Sequence, residues 1–301
     1  MRRTGVILGL WSLGVLSLAV WATAQTTGQP AQQNPPAAGQ TAPAQGASPT
    51  EATPPAKHPP QAKTQPEFDA YKTAIAVTDP AAMEKASDDF AAKFPDSEIR
   101  ILLYTNAMRL YQGANNAEKT EAMGRKMLGL DADNPEALVT VAEVVAERTH
   151  DTDLDKDQRY AEAVSMAQKA TQTVDTDIQV PAGTAQEKID AYKALLRSRA
   201  YSIIGTIDFK KDSYPAAAEN LQKSIDAYPS DPDKVVVLRL ALTLDKEQKY
   251  PEALKVANRA VEMTQTQETS VIGTAARRER DRLQQLTGSA TPTPPQTPPK
   301  N

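Results

Sequence analysis

Two stretches of nearly the same design stand end to end between Arg199 and Thr264, and they constrain the fold more than any other feature of the 301 residues. The first contains AYSIIGTIDFKKDSYPAAAENLQKSIDAYPSDP and the second KVVVLRLALTLDKEQKYPEALKVANRAVEM. Aligned on Tyr214-Pro215-Ala216-Ala217 and Tyr250-Pro251-Glu252-Ala253, they repeat after 36 residues. Apolar residues recur at helical spacing in each half, and a Tyr-Pro after a short polar turn opens each second helix. Two helices joined this way cross closely where small residues face each other, and larger apolar side chains fill the grooves beside the crossing.

The two stretches resemble the tetratricopeptide repeat, whose period is about 34 residues. In the first hairpin the family's pattern positions fall on Tyr201, Ile204-Gly205, Ala217, Leu221, Ser224 and Pro229, with Tyr214 as the turn aromatic. Asp208 stands where the first-helix aromatic belongs, next to Phe209. In the second, Val237, Leu240-Ala241, Leu244, Ala253, Ala257 and Ala260 match, and Gln265 replaces the terminal proline. The string FAAKFPDS, residues 90–97, is similar to hairpin ends of exported bacterial members. The resemblance implies an all-α fold, a right-handed α-solenoid of about five helix-turn-helix hairpins with a C-terminal capping helix, flanked by disordered Pro-rich segments. It also places Gly205 and Ala253 at close crossings, where leucine would overpack. Alanine at 205 is expected to be tolerated or to stabilise, because glycine inside a helix costs about 1 kcal/mol relative to alanine.

Residues 1–24 read as a signal peptide. Arg2 and Arg3 precede an uncharged apolar stretch over residues 5–21, and Ala22-Thr23-Ala24 supplies a small-x-small site, so cleavage before Gln25 is expected. An uncleaved N-terminal anchor is the alternative, since the stretch approaches the length of a membrane span. The expected destination is the periplasm or cell envelope of a bacterium, or the medium. Without Arg2 and Arg3, 32 basic residues face 38 acidic ones, a balance that argues against a nucleic-acid partner. An exported chain with no cysteine is held by packing alone. Residues 25–65 form a Pro/Ala/Gln-rich spacer and residues 287–301 a Pro/Thr-rich tail, both too poor in apolar groups to offset the entropy of ordering.

Residues 66–286 carry the helical pattern. Asp79-Pro80 and Asn134-Pro135 pair a cap with a proline at the first helical position. Thr184-Ala185-Gln186-Glu187 reads as a capping box that opens a long helix to Lys211, with Ile189, Tyr192, Leu196, Ile203 and Ile207 along its buried stripe. The helix near 117–130 matches the family pattern poorly, because Thr120 and Gly124 hold its key positions. The last helix, about 268–286, is expected to turn Val271, Ile272, Leu283 and Leu286 inward and the charged run 277–282 outward, finishing the stack in water. An extended turn holds Asp151, Asp153, Asp155 and Asp157, with Glu162 at the remaining position of a calcium-loop spacing. Lys156 occupies the place that needs glycine for the sharp turn, so the stretch is read as a solvated acidic insertion and no metal site is assigned.

Chemistry that would mark an enzyme is missing from the sequence. His58 and His150 are its two histidines, both outside the helical pattern, and it has no cysteine. Catalytic Cys-His pairs and Cys/His zinc sites are thereby excluded, and a Ser-His-Asp triad would lack a rigidly placed base. None of the 13 glycines forms a phosphate-cradling loop. The function expected is an exported, non-enzymatic scaffold without cofactor, holding a protein or peptide on the concave face of the array. The alternative is a structural or assembly component of the cell envelope, with the spacer as tether. The resemblance places groove contacts at Glu136, Val139, Glu143 and Glu147 in one repeat and at Ser202, Thr206, Phe209 and Lys210 in another. These do not make up the Lys/Asn/Arg set with which some members clamp a C-terminal carboxylate, so a receptor for C-terminal peptides is not expected. After signal cleavage no membrane association is expected.

Overall fold

The computed structural model describes residues 58–180, 183–267 and 269–289, and what the sequence predicts for the signal segment, most of the spacer and the tail lies outside them. Among the described residues the chain forms eleven α-helices and no strand. They pair as α1 (Gln65–Ile75) with α2 (Pro80–Lys93), α3 (Arg100–Gly113) with α4 (Ala117–Leu130), and α5 (Pro135–Arg148) with α6 (Lys156–Thr173). The long α7 (Gln186–Lys210) pairs with α8 (Tyr214–Ala227), α9 (Lys234–Lys246) with α10 (Tyr250–Met263), and α11 (Val271–Ser289) ends the series. Each helix packs on the next, as the five-hairpin reading requires. No helix among the described residues is long and apolar enough to cross a membrane.

Local sequence sets the helix starts. Asp79 accepts a hydrogen bond from the Ala82 amide at 2.8 Å and Asn134 from the Ala137 amide at 2.9 Å, each directly before a proline that loses nothing by lacking an N–H there. At the chain's entry, Glu67 accepts from the Lys63 amide at 2.7 Å and from the Ser97 hydroxyl, tying α1 to the turn before α3. Lys63 also donates to the Asp96 carbonyl at 2.7 Å, and Ala62 packs on the first core. The spacer's last residues are thus docked, contrary to the composition-based boundary at 65. The predicted capping box is replaced too: α7 starts at Gln186 with Ala185 as its N-cap and no side-chain cap bond.

Three hairpin turns are the same structure. Asn115, Asp212 and Gln248 adopt left-handed φ values of 55°, 57° and 61°. In each turn the next amide reaches back five residues, Asn116 to Tyr111, Ser213 to Asp208 and Lys249 to Leu244, all at 2.9 Å. This is the helix-ending pattern in which one left-handed residue lets the orphan carbonyls be satisfied.

The core runs between the hairpins. Leu138, Val141 and Val145 of α5 meet Tyr160, Ala163 and Ala167 of α6 and Leu196, Ile203 and Ile207 of α7. A side-chain carbon at Gly205 would lie 2.8 Å from Leu221 Cγ and 2.9 Å from the Leu221 backbone nitrogen. Even alanine does not fit there, which overturns the expectation that it would be tolerated. Gly124 plays the same part for α4, where a Cβ would meet Val141 Cγ2 at 2.5 Å. The weak pattern match on α4 therefore hid a close crossing of its own. In α11, Ala276 and Leu283 are buried, whereas Val271 and Leu286 stay exposed, and Glu279 is buried against Arg282. Of the predicted stripe, Ile272 and Leu283 do turn inward while Val271 and Leu286 do not, and Arg282 pairs with Asp245 of α9 and Glu279.

Candidate partner-binding face

First helices of successive hairpins touch one another, α1 with α3, α5 with α7, α7 with α9 and α9 with α11, while the second helices do not come together to that extent. The first helices therefore form the inner row of the array. Side chains one turn apart on a helix share a face, so α3, α5, α7 and α9 each present a short polar column to that row.

The columns are linked across helices. Arg109 of α3 donates from Nε and Nη2 to the two oxygens of Glu136 on α5, at 2.7 and 2.8 Å, and Nη2 lies 3.4 Å from the Tyr192 hydroxyl of α7. Arg199 of α7 is paired with Glu143. Arg239 of α9 donates to Thr206 of α7 at 2.8 Å. Lys210 donates to the Ala146 carbonyl at 3.1 Å, and its Nζ lies 5.3 Å from the centre of the Tyr160 ring. Planar, forked guanidinium groups held this way are fixed in direction.

Of the eight residues named from sequence, Glu136, Glu143 and Thr206 take part in these links and Lys210 reaches the Ala146 carbonyl, while Glu147 and Ser202 lie on the same helices α5 and α7. Val139 is fully buried in the core between α5 and α7 and shows no side chain to the surface. Phe209 is half-buried and packs edge-on against Tyr214, with ring centres 5.8 Å apart, so it braces the α7–α8 turn. Arg109, Arg199 and Arg239 are not among the groove residues named from sequence, although Arg199 lies one turn before Ser202, and Tyr192, read there as part of the buried stripe, does pack against the core. Applying the same helix positions to α3 and α9 brings the reading within a turn of Arg109 and Arg239.

Electrostatics mark the middle of the row. Glu147 as a whole is exposed, while its carboxyl is partly desolvated on the helix. That burial, with Glu143 one turn away, pushes it up to about 7 against the partial relief from Arg199, Lys210 and Arg239. It has no ion pair or hydrogen bond to its side chain among the described residues. Burial and then Arg239 hold the Lys210 ammonium below its ordinary value, and burial does the same to Arg239. Desolvation and the neighbouring Glu136 keep the Tyr192 hydroxyl protonated well above the ordinary phenol range.

The calcium-loop carboxylates are not gathered. Glu162 lies on α6 and pairs with Arg125 of α4 at 2.9 Å, while Asp153 accepts from the His150 amide at 2.9 Å and lies 3.5 Å from Arg159. The acidic groups that do converge are Asp131, Asp133 and Asp177, whose oxygens lie within 4.8 Å of one another. Lys169 reaches Asp133 at 2.7 Å, and Thr176 donates to Asp177 at 2.6 Å. Their charge is thereby met by the protein, as a polar clamp between the end of α4 and the end of α6.

With its repeated left-handed turns, small residues at crossings and 36-residue period, the fold is a tetratricopeptide-like array. No protein-family model and no curated protein matches the chain. Among solved structures it is similar to YrrB, a tetratricopeptide protein with an unusual peptide-binding site, at 16% identity over 68% of this chain and 87% of that one, TM-score 0.44. It is also similar to Acl4, an assembly chaperone of RpL4, at 12% identity over 75% and 99%, TM-score 0.41. A third likeness is MamA from Desulfovibrio magneticus RS-1, residues 41 to the end, at 14% identity over 64% and 97%, TM-score 0.36. At such scores these are distant likenesses, and what each of those proteins binds is a property of that protein.

Proposed function

We propose that the protein is an exported, non-enzymatic scaffold that holds a partner polypeptide against the inner row of its array. One observation carries this reading: charged side chains on α3, α5, α7 and α9 are fixed across helices along one face, and in its middle Glu147, Lys210 and Arg239 have no opposite charge within ion-pair distance among the described residues. A face meant only to be covered by the protein's own packing would carry apolar groups, because crowding ionised groups costs desolvation. A pre-oriented polar face instead fits recognition of a chain laid along it. Export rests on the charge, apolar stretch and small-residue site of residues 1–24, and it places the scaffold in a bacterial envelope or beyond it.

The second reading, an envelope assembly component, draws on the Pro-rich spacer, whose composition suits a tether. Capture with the full tagged chain from envelope extracts of its own host separates the two. A partner retained by the wild type and lost on Glu143→Arg supports the scaffold. One stoichiometric assembly indifferent to that substitution supports the structural role, and capture of nothing contradicts both.

A further inference from the structure

The inner row changes character between α7 and α11. Towards the N-terminal end its arginines are matched, Arg109 by Glu136 and Arg199 by Glu143. Further on, Lys210 has a carbonyl and a ring, Arg239 has a hydroxyl, and Arg278 of α11 has no carboxylate within ion-pair distance among the described residues. The acids that act on these cations, Asp151 and Glu147 on Lys210 and Asp233 and Glu147 on Arg239, form no ion pair with them among the described residues. Asp233 is turned to the start of α9, where it accepts from the Val235 amide at 2.7 Å. Glu147, which burial and then Glu143 disfavour as an anion, reaches neither Lys210 nor Arg239 as an ion pair among the described residues.

Beside these cations, apolar side chains share a cleft with Arg278 and with Glu279 and Arg282, which pair with each other at 3.0 Å. Leu242 stands one turn along α9 from Arg239, and 36 residues after Thr206, so it takes the same place in its repeat. It forms one wall of a cleft of about 490 Å³ between α9 and α11, with Val271, Thr274, Ala275 and Arg278 among the others. Val271 is 69% exposed there, a large apolar side chain left in water.

We propose that this end of the inner row takes an internal segment of a partner polypeptide in which acidic side chains flank an apolar one. One carboxylate lies between Lys210 and Arg239, the apolar side chain enters the α9–α11 cleft, and the second carboxylate meets Arg278. The inference rests on the scaffold reading and gives its partner a chemistry. A carboxylate between Lys210 and Arg239 removes the repulsion of two crowded cations and gains charge-assisted hydrogen bonds. Side chains one helical turn apart are about 5–6 Å from each other. Alternate residues of an extended chain, which share a side, are about 6.7 Å apart. The step from Arg239 to Leu242 therefore matches alternate residues of an extended chain, and Arg278, which lines the same cleft as Leu242, takes the second acid.

The test uses short peptides of the pattern Glu-Ser-Leu-Ser-Glu, acetylated and amidated so that no terminal charge contributes, titrated into the full chain. NMR signals of the Arg239 Nε–H and of the Leu242 and Val271 methyl groups report binding. Saturable shifts at millimolar peptide are expected, at least tenfold weaker when lysine replaces glutamate or serine replaces leucine. The Arg239→Glu, Arg278→Glu protein should prefer the lysine peptide. If that protein fails to fold, Arg278→Glu alone, at an exposed site, should still weaken the acidic peptide severalfold. Absent shifts at millimolar peptide, equal response to acidic and basic peptides, or an unchanged preference in the folded variants overturns the inference. Peptides that fail while extract capture succeeds overturn it and leave the scaffold reading standing.

Discussion

At the scale of the residue, Glu147 carries the most telling energetics. Its carboxyl is raised from 4.5 to about 7 by burial and by Glu143. A group raised in the folded state holds its proton where the unfolded chain has lost it, so its stabilising contribution is complete below about 4.5 and is lost as pH rises through about 7. Carboxyl NMR should place its midpoint near 7, and Glu143→Gln should lower that midpoint by removing the like charge and freeing Arg199. Thermal melts should decline from pH 5 to 8 in the wild type and flatten in Glu147→Gln; identical slopes would contradict the assignment. Gly205 tests the packing. With Leu221 Cγ and backbone nitrogen 2.8 and 2.9 Å from a Cβ there, Gly205→Ala should destabilise by about 1 to 2 kcal/mol despite the better helix former. Lys223→Leu, at an exposed position where the ammonium pairs with Glu219 four residues away and lies 5.8 Å from the Tyr201 ring centre, should change stability little in the same denaturant titration.

The elements show which features local chemistry can announce. Asp79-Pro80 and Asn134-Pro135 were legible because cap and proline lie side by side in the chain, and the Tyr-Pro pairs fixed the starts of α8 and α10. Position 184 looked like a capping box, yet α7 starts after Ala185 without any side-chain cap bond, its first residues exposed. Half of α11's stripe, Ile272 and Leu283, follows periodicity, whereas Val271 at its first residue and Leu286 near its end stay exposed. Gly124 looked like a flaw in the pattern because its partner, Val141, lies across a hairpin boundary. The left-handed turns left no sequence mark either, as only Asn115 and Asp212 are residue types that favour that conformation. Gln248 pays no such dividend, and Gln248→Gly should raise stability by about 0.5 to 1 kcal/mol in equilibrium unfolding. At the first hairpin, a chain beginning at residue 58 should melt higher than one beginning at residue 66. The shorter chain loses the Thr64 cap on the Glu67 amide, worth about 1 kcal/mol, and the docked Lys63.

Across the whole molecule, the row of first helices was legible as a set of positions, whereas its ion pairs were not, because Arg109, Arg199 and Arg239 find their partners on other helices. Val139 shows the limit from the other side: it sits within one turn of Glu136 and Glu143, yet the approach of α7 buries it. The long α5–α6 turn is held by His150, Arg159 and Arg125 without gathering its acids, so millimolar calcium should shift the melting temperature no more than magnesium does. The central claim is that partners lie on the inner row and not on the outer second helices. A photo-crosslinking residue placed in the full chain at Thr206, on α7, or at Lys255, exposed on α10, tests it directly when the protein is irradiated in its own envelope extract. The account predicts a polypeptide cross-linked from position 206 and none from 255. Cross-links from 255 alone would contradict it.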